Sequence, residues 1–198
     1  PLNAKGLTSG SARSVSSRAT PVACRAAAGR TAASLLGRFA GGRQGKVAVL
    51  AGSMLVRDHR ERCEAFASVM ARDFPTLELL PVLEGRDDPA VVERLVAALF
   101  SGLDDIVALY SLGAGNRGLV KALERVPAER RPVVIAHELT DTTRGALQSG
   151  LIDAVLNQDA GHEVRSAIRV LKAKADGLPV VADQERIRID IFLKDNLP

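Results

Sequence analysis

Short apolar runs alternate with longer amphipathic stretches from residue 46 to the end of the chain. Lys46–Ala51 (KVAVLA), Leu77–Leu83, Asp105–Tyr110 (DIVALY), Pro132–His137 (PVVIAH) and Ile152–Asn157 are nearly continuous in apolar residues, as strands covered on both faces are. Between them, apolar positions recur at helical spacing over about 57–73, 88–100, 116–125, 140–148 and 160–175. Asp88-Pro89 marks one helix start, with an acceptor at the N-cap and a proline in the first turn. Ile187–Leu193 (IRIDIFL) alternates apolar with charged residues, which predicts an edge strand. Upstream, the Ala/Leu-rich stretch Arg25–Phe39 reads as a helix stopped by Gly41-Gly42. Residues 1–23 show neither period and are read as irregular, so the chain divides into a basic segment, 1–24, and a folded body, 25–198.

Strands alternating with helices predict an α/β fold: a parallel, doubly wound sheet with helices on both faces. Ligands of such sheets sit at the carboxyl ends of the strands, where the strand order reverses. That directs attention to Ser53–His59, Glu84–Asp88, Ser111–Asn116, His137–Asp141 and Gln158-Asp159.

Composition changes the picture little. The chain has 198 residues, 46% of them hydrophobic and 25% charged, which suits a globular protein. No apolar run approaches the ~18 residues that span a bilayer, and no leader-like segment opens the chain; membrane and secreted readings are therefore weak. Cys24 and Cys63 lie far apart, which excludes a disulfide scaffold or a zinc ribbon. Aromatics make up 3%, too few for a base-stacking platform. The net charge of +4 suggests nucleic acid until it is located. Residues 1–46 hold eight bases and no acid, so of 27 bases only 19 face the 23 acids of the remainder, a net of −4. Basic charge confined to one end is read as a solvated segment rather than a groove reader.

The sharpest local pattern is Gly113-Ala114-Gly115-Asn116-Arg117-Gly118, a literal G-x-G-x-x-G between a strand and a helix, with Glu138 twenty residues on. Two readings stand: a dinucleotide cradle, or a tight turn that needs glycine dihedrals. Other catalytic patterns fail. His162-Glu163-Val164-Arg165-Ser166 lacks a second histidine, no serine sits in G-x-S-x-G, and His59 with Cys63 finds no third metal ligand. Catalysis, a cofactor and a metal are therefore not expected. What remains is a polar set at the strand ends: Ser53, Arg57, Asp58, His59, Arg62, Ser111, Asn116, His137, Glu138 and Gln158. Singly these residues suit helix caps and ion pairs. Together they suit a polyhydroxylated ligand, each hydroxyl of which needs a donor and an acceptor.

Four blocks in order, KVAVLAGSMLVRDHRERCEAF, DIVALYSLGAGNRGLVKALE, RPVVIAHELTDTTRGALQSGLIDAVLNQD and RIDIFLKDNLP, resemble the sugar-sensing effector domain of LacI/GalR transcription regulators. That domain shares its fold with type I periplasmic sugar-binding proteins, and the resemblance covers about Arg25–Pro198. It implies that Arg62 contacts sugar, that Glu138 stands where an aspartate binds hydroxyls, and that Gln158 is a polar contact at the hinge. Asn116 is nominated from the loop SLGAGN, although Leu112 holds the aligned position. Ser53, His59, Ser111 and His137 complete the candidate wall. The implied protein is a cytoplasmic homodimeric regulator, not an enzyme, that binds a sugar-like effector and reaches DNA through a helix-turn-helix not found in this chain. The alternatives are a periplasmic-type sugar solute-binding protein or, ranked lower, a dinucleotide-dependent enzyme fragment built on GAGNRG. Residues 1–24 hold no strand-like run, and ATPVACRAAAGRT keeps a family helix without its strand. The expectation is thus a truncated domain, mostly its C-terminal lobe, with 159–180 belonging to the other lobe.

Overall fold

The apolar runs become strands of one sheet. A computed structural model describes residues 21–181, 184–185 and 187–198. Its strands are β1 (Gly45–Ala51), β2 (Leu77–Leu79), β3 (Leu83–Glu84), β4 (Ile106–Ser111), β5 (Val133–His137), β6 (Ala154–Gln158) and β7 (Ile189–Phe192). They lie in the order β2-β1-β4-β5-β6-β7, with β3 also paired to β1. Every pairing is parallel except β6 with β7, which is antiparallel. The alternating IRIDIFL segment thus stands at an edge of the sheet.

One expected strand is two. Residues 77–83 were read as continuous, but the pairing with β1 runs from Leu77 to Leu80, whose N–H donates to Val47 O at 3.0 Å, and resumes at Leu83. Pro81 lies in the gap, and its missing N–H cannot extend a ladder.

The helices are α1 (Pro21–Phe39), α2 (Arg57–Asp73), α3 (Pro89–Gly102), α4 (Asn116–Glu124), α5 (Asp141–Gln148) and α6 (Ala160–Ala175). The first begins at Pro21 rather than Arg25; the rest of the segment expected to be irregular lies outside the described residues. Asp88 caps α3, accepting from Ala90 N at 2.7 Å and Val91 N at 3.1 Å. Thr140 and Thr143 cap α5 reciprocally.

Both faces of the sheet are covered. On one, α1 and α2 bury Leu36, Phe66 and Met70 against Val47, Val49 and Tyr110; on the other, α3, α4 and α5 bury Val92, Val96, Leu119 and Leu147 against Leu50, Leu109 and Val134. Each such side chain contributes roughly 1.5–3 kcal/mol. The two cores fix the strand ends. From β1 the chain steps outward to β2, then crosses to β4 on the other side, so the strand order reverses between β1 and β4. In contrast to α2–α5, α6 leaves Val164, Ile168 and Leu171 exposed by 60%, 59% and 67%.

Candidate functional site

The site grows from one buried cation. Arg62, on the inward face of α2, is only 6% exposed. Its Nη1 donates to His137 Nδ1 at 3.0 Å, and its Nη2 donates to Gln158 Oε1 at 2.7 Å and lies 3.1 Å from Asp58 Oδ2. Asp58 also faces Arg25 of α1 at 3.1 Å. A buried guanidinium is tolerable only when paired and hydrogen-bonded, and three elements supply the partners here. Of the three guanidinium nitrogens, Nε alone has no hydrogen-bond partner among the described residues.

His137 is the neutral relay behind it. Burial, followed by the charge of Arg62, lowers its pKa well below the ordinary histidine value. With Nδ1 accepting from Arg62, the single ring proton sits on Nε2 and donates to the Tyr110 hydroxyl, 2.8 Å away. Burial in turn raises the Tyr110 pKa, so its hydroxyl stays protonated. Beside this chain, Asn116 Nδ2 donates to His137 O at 3.1 Å, and Ser111 Oγ donates to Asn116 Oδ1 at 3.0 Å.

Glu138 follows β5 in a left-handed conformation, φ +62°. Its Oε2 accepts from Gln158 N at 3.4 Å, and the other carboxylate oxygen has no protein partner among the described residues. Desolvation raises its pKa against the opposing pull of Gln158 N and Arg62. Guanidinium, carboxylate and amide thus meet where β5 and β6 end. That is a donor and acceptor set for hydroxyl groups.

The crevice between β1 and β4 is closed differently. A Cβ on Gly113 would stand 2.4 Å from Gly52 N, so the two backbones touch. Asp87 lays its carboxylate into the glycine run and accepts from Ala114 N at 2.7 Å. Gly118 lets α4 meet α3, since a Cβ there would lie 1.9 Å from Pro89 O. Gly115, with φ +95°, starts α4. The glycines therefore serve the turn and helix packing, and a carboxylate occupies the place a pyrophosphate would need. Two like charges there repel, so the dinucleotide reading has no support in this geometry.

The predicted residues separate into groups. Arg62, Glu138, Gln158 and Asn116 come together around the ends of β4, β5 and β6. Ser111 and His137 are shut into the core, holding Asn116 and Arg62, and stand behind the wall rather than on it. Arg62, which the resemblance implies as a sugar contact, is buried, and Gly29 lets α1 pack directly on its backbone carbonyl. Ser53 and His59 pair locally, Ser53 N donating to His59 Nδ1 at 3.1 Å, and Arg57 pairs with Glu61 at 2.5 Å. Tyr110 and Asp87 were missed. The signal for Tyr110 was a lone hydroxyl in an apolar strand, which needs a partner when buried.

A mostly parallel sheet covered on both faces, with polar groups gathered at its carboxyl end, is the architecture of the periplasmic-binding fold. The chain belongs to the periplasmic binding protein domain family, which matches residues 25–179. The sugar-binding protein of a sugar ABC transporter from Bacillus halodurans is similar in structure, with TM-score 0.75, 23% identity, and coverage of 87% of this chain and 62% of that one. GanP, a glucose-galactose binding protein from Geobacillus stearothermophilus, has TM-score 0.79, 20% identity, and coverage of 88% and 61%. A carbohydrate transporter solute binding protein from Agrobacterium radiobacter, in complex with D-arabinose, has TM-score 0.76, 21% identity, and coverage of 87% and 60%. The chain therefore spans about three fifths of these proteins' length. No curated protein matches it in sequence.

Proposed function

We propose that this chain forms one lobe of a periplasmic-type sugar solute-binding protein, holding a monosaccharide against Glu138, Gln158 and Asn116, with the implied sugar contact Arg62 buried behind them and holding Gln158 in place. The observation that carries this reading is the convergence of Arg62, Gln158 and Glu138 at the ends of β5 and β6, with one carboxylate oxygen unpartnered among the described residues. The carboxylate accepts from a sugar hydroxyl, and the amide of Asn116, which gives one proton to His137 O, has a second to donate. Two of the similar solved structures, from Bacillus halodurans and Agrobacterium radiobacter, are sugar- or solute-binding proteins of transporters, which supports the solute-binding reading in particular. The test is calorimetry of the full-length protein with D-galactose, D-glucose and D-arabinose. At least one should bind, and Glu138→Ala should weaken it by about 1–3 kcal/mol, the cost of a buried unpaired donor. Unchanged affinity for every sugar bound would remove Glu138 from the site.

A second reading, the effector domain of a LacI-type regulator, is favoured by the order of the four sequence blocks. It would place the protein in the cytoplasm as a homodimer that controls DNA through a helix-turn-helix. Fractionation of the producing cells separates the two: a carrier is recovered outside the cytoplasmic membrane, a regulator inside it.

A further inference from the structure

Glu138 belongs to the proposed sugar wall, yet its backbone lies in a region that L side chains rarely adopt, φ +62°. Such a conformation persists only where its surroundings over-determine it. Three hydrogen bonds do so here. Glu138 N donates to Leu156 O at 3.1 Å, continuing the ladder to β6. The next peptide unit is then held at both ends by side chains from different elements. Its carbonyl, Glu138 O, accepts from Thr143 Oγ1 at 2.7 Å, and its N–H, on Leu139, donates to Asn157 Oδ1 at 3.0 Å. Rotation about the Glu138 ψ bond would break both. Thr143 Oγ1 already accepts from Thr140 N at 2.8 Å, and its one proton goes to Glu138 O rather than to Thr140 O, 3.2 Å away.

We infer that Thr143 and Asn157 are positioning residues for ligand binding: together they clamp the Glu138–Leu139 peptide, so that left-handed Glu138 turns its carboxylate back over the end of β6. The functional half of this inference rests on the sugar reading above. Thr143 is 0% exposed, so it cannot touch a sugar and acts only through Glu138. A threonine that merely capped α5 would affect melting and leave affinity alone.

The test compares Thr143→Val, Thr143→Ser and Asn157→Leu in the full-length protein. One measurement is the backbone angle of residue 138, from the amide-to-Hα three-bond coupling and carbon shifts. The other is affinity for D-galactose and D-arabinose by calorimetry. Thr143→Val and Asn157→Leu should move residue 138 out of the left-handed region and weaken binding by about tenfold, the order expected for one lost buried hydrogen bond. Thr143→Ser, which keeps the hydroxyl, should preserve the angle and bind within about twofold of the parent, whatever its melting temperature. If residue 138 stays left-handed in both Thr143→Val and Asn157→Leu, the clamp is wrong. If the angle moves and affinity does not, the positioning role is wrong. If the parent binds neither sugar, the sugar reading fails on its own, and the coupling still decides the clamp. Should Thr143→Val not fold, Asn157→Leu on β6 and Thr143→Ser carry the same decision.

Discussion

At the residue scale, the chain solves one expensive problem, a guanidinium taken out of water. Asp58 supplies charge to Arg62, Gln158 supplies a carbonyl, and His137 supplies a neutral lone pair. His137→Leu leaves both Arg62 Nη1 and the Tyr110 hydroxyl unpaired. Urea unfolding should show a loss of about 2–5 kcal/mol; a loss below about 0.5 kcal/mol would mean that the relay contributes nothing. The pH dependence has a defined sign. His137 stays neutral in the fold, with its pKa lowered by burial and by Arg62, while the unfolded side chain titrates near 6.5. The unfolded state therefore binds the extra proton first, and stability is full above about pH 6.5 and falls as the pH drops below it. In His137→Leu that part of the acid sensitivity should disappear. Sequence reasoning singled out His137 and Gln158, because polar residues at the ends of apolar strands are conspicuous, and Arg62 mainly through the family resemblance. It did not show that His137 faces inward: neither strand position nor hydropathy tells which side of a strand end a polar ring will take.

At the element scale, the alternation of apolar runs and helical periods was legible almost throughout, because strands buried on both faces leave an unbroken signature. The exception was 77–83, where one proline outweighed an apolar run. The glycine run shows a different limit. Its spacing fits a phosphate cradle, but the same glycines are required by packing, and only the structure shows Asp87 lying across them. Gly118→Ala should push α3 from α4 and cost about 1–3 kcal/mol by overpacking. A titration of NAD against the parent should stay flat. Saturable micromolar NAD binding that vanishes in Gly115→Val would restore the dinucleotide reading.

At the scale of the whole molecule, the sheet, its two cores and the strand-end wall form a unit, and α6 stands apart from it in character. Val164, Ile168 and Leu171 make an apolar stripe that the described residues leave in water. Because these side chains are not buried, the double substitution Ile168→Lys with Leu171→Lys should change unfolding free energy by less than about 0.5 kcal/mol. A loss of several kcal/mol would mean that the stripe is covered within the fold. Asn116, Glu138 and Gln158 of the wall are each partly exposed to water. Binding sites usually cover ~70–90% of a small ligand's surface. Hydrogen bonds that compete with water contribute about 0.5–1.5 kcal/mol each, against an association cost of ~4 kcal/mol or more. This chain alone should therefore hold sugar only at millimolar concentrations. The measurement that bears most directly on the account is an amide-shift titration of the labelled 198-residue chain with D-galactose and D-arabinose. At least one sugar should give saturable, millimolar shifts centred on Asn116, Glu138 and Gln158; no response at those residues to either sugar, with shifts gathered elsewhere or absent, would contradict the account.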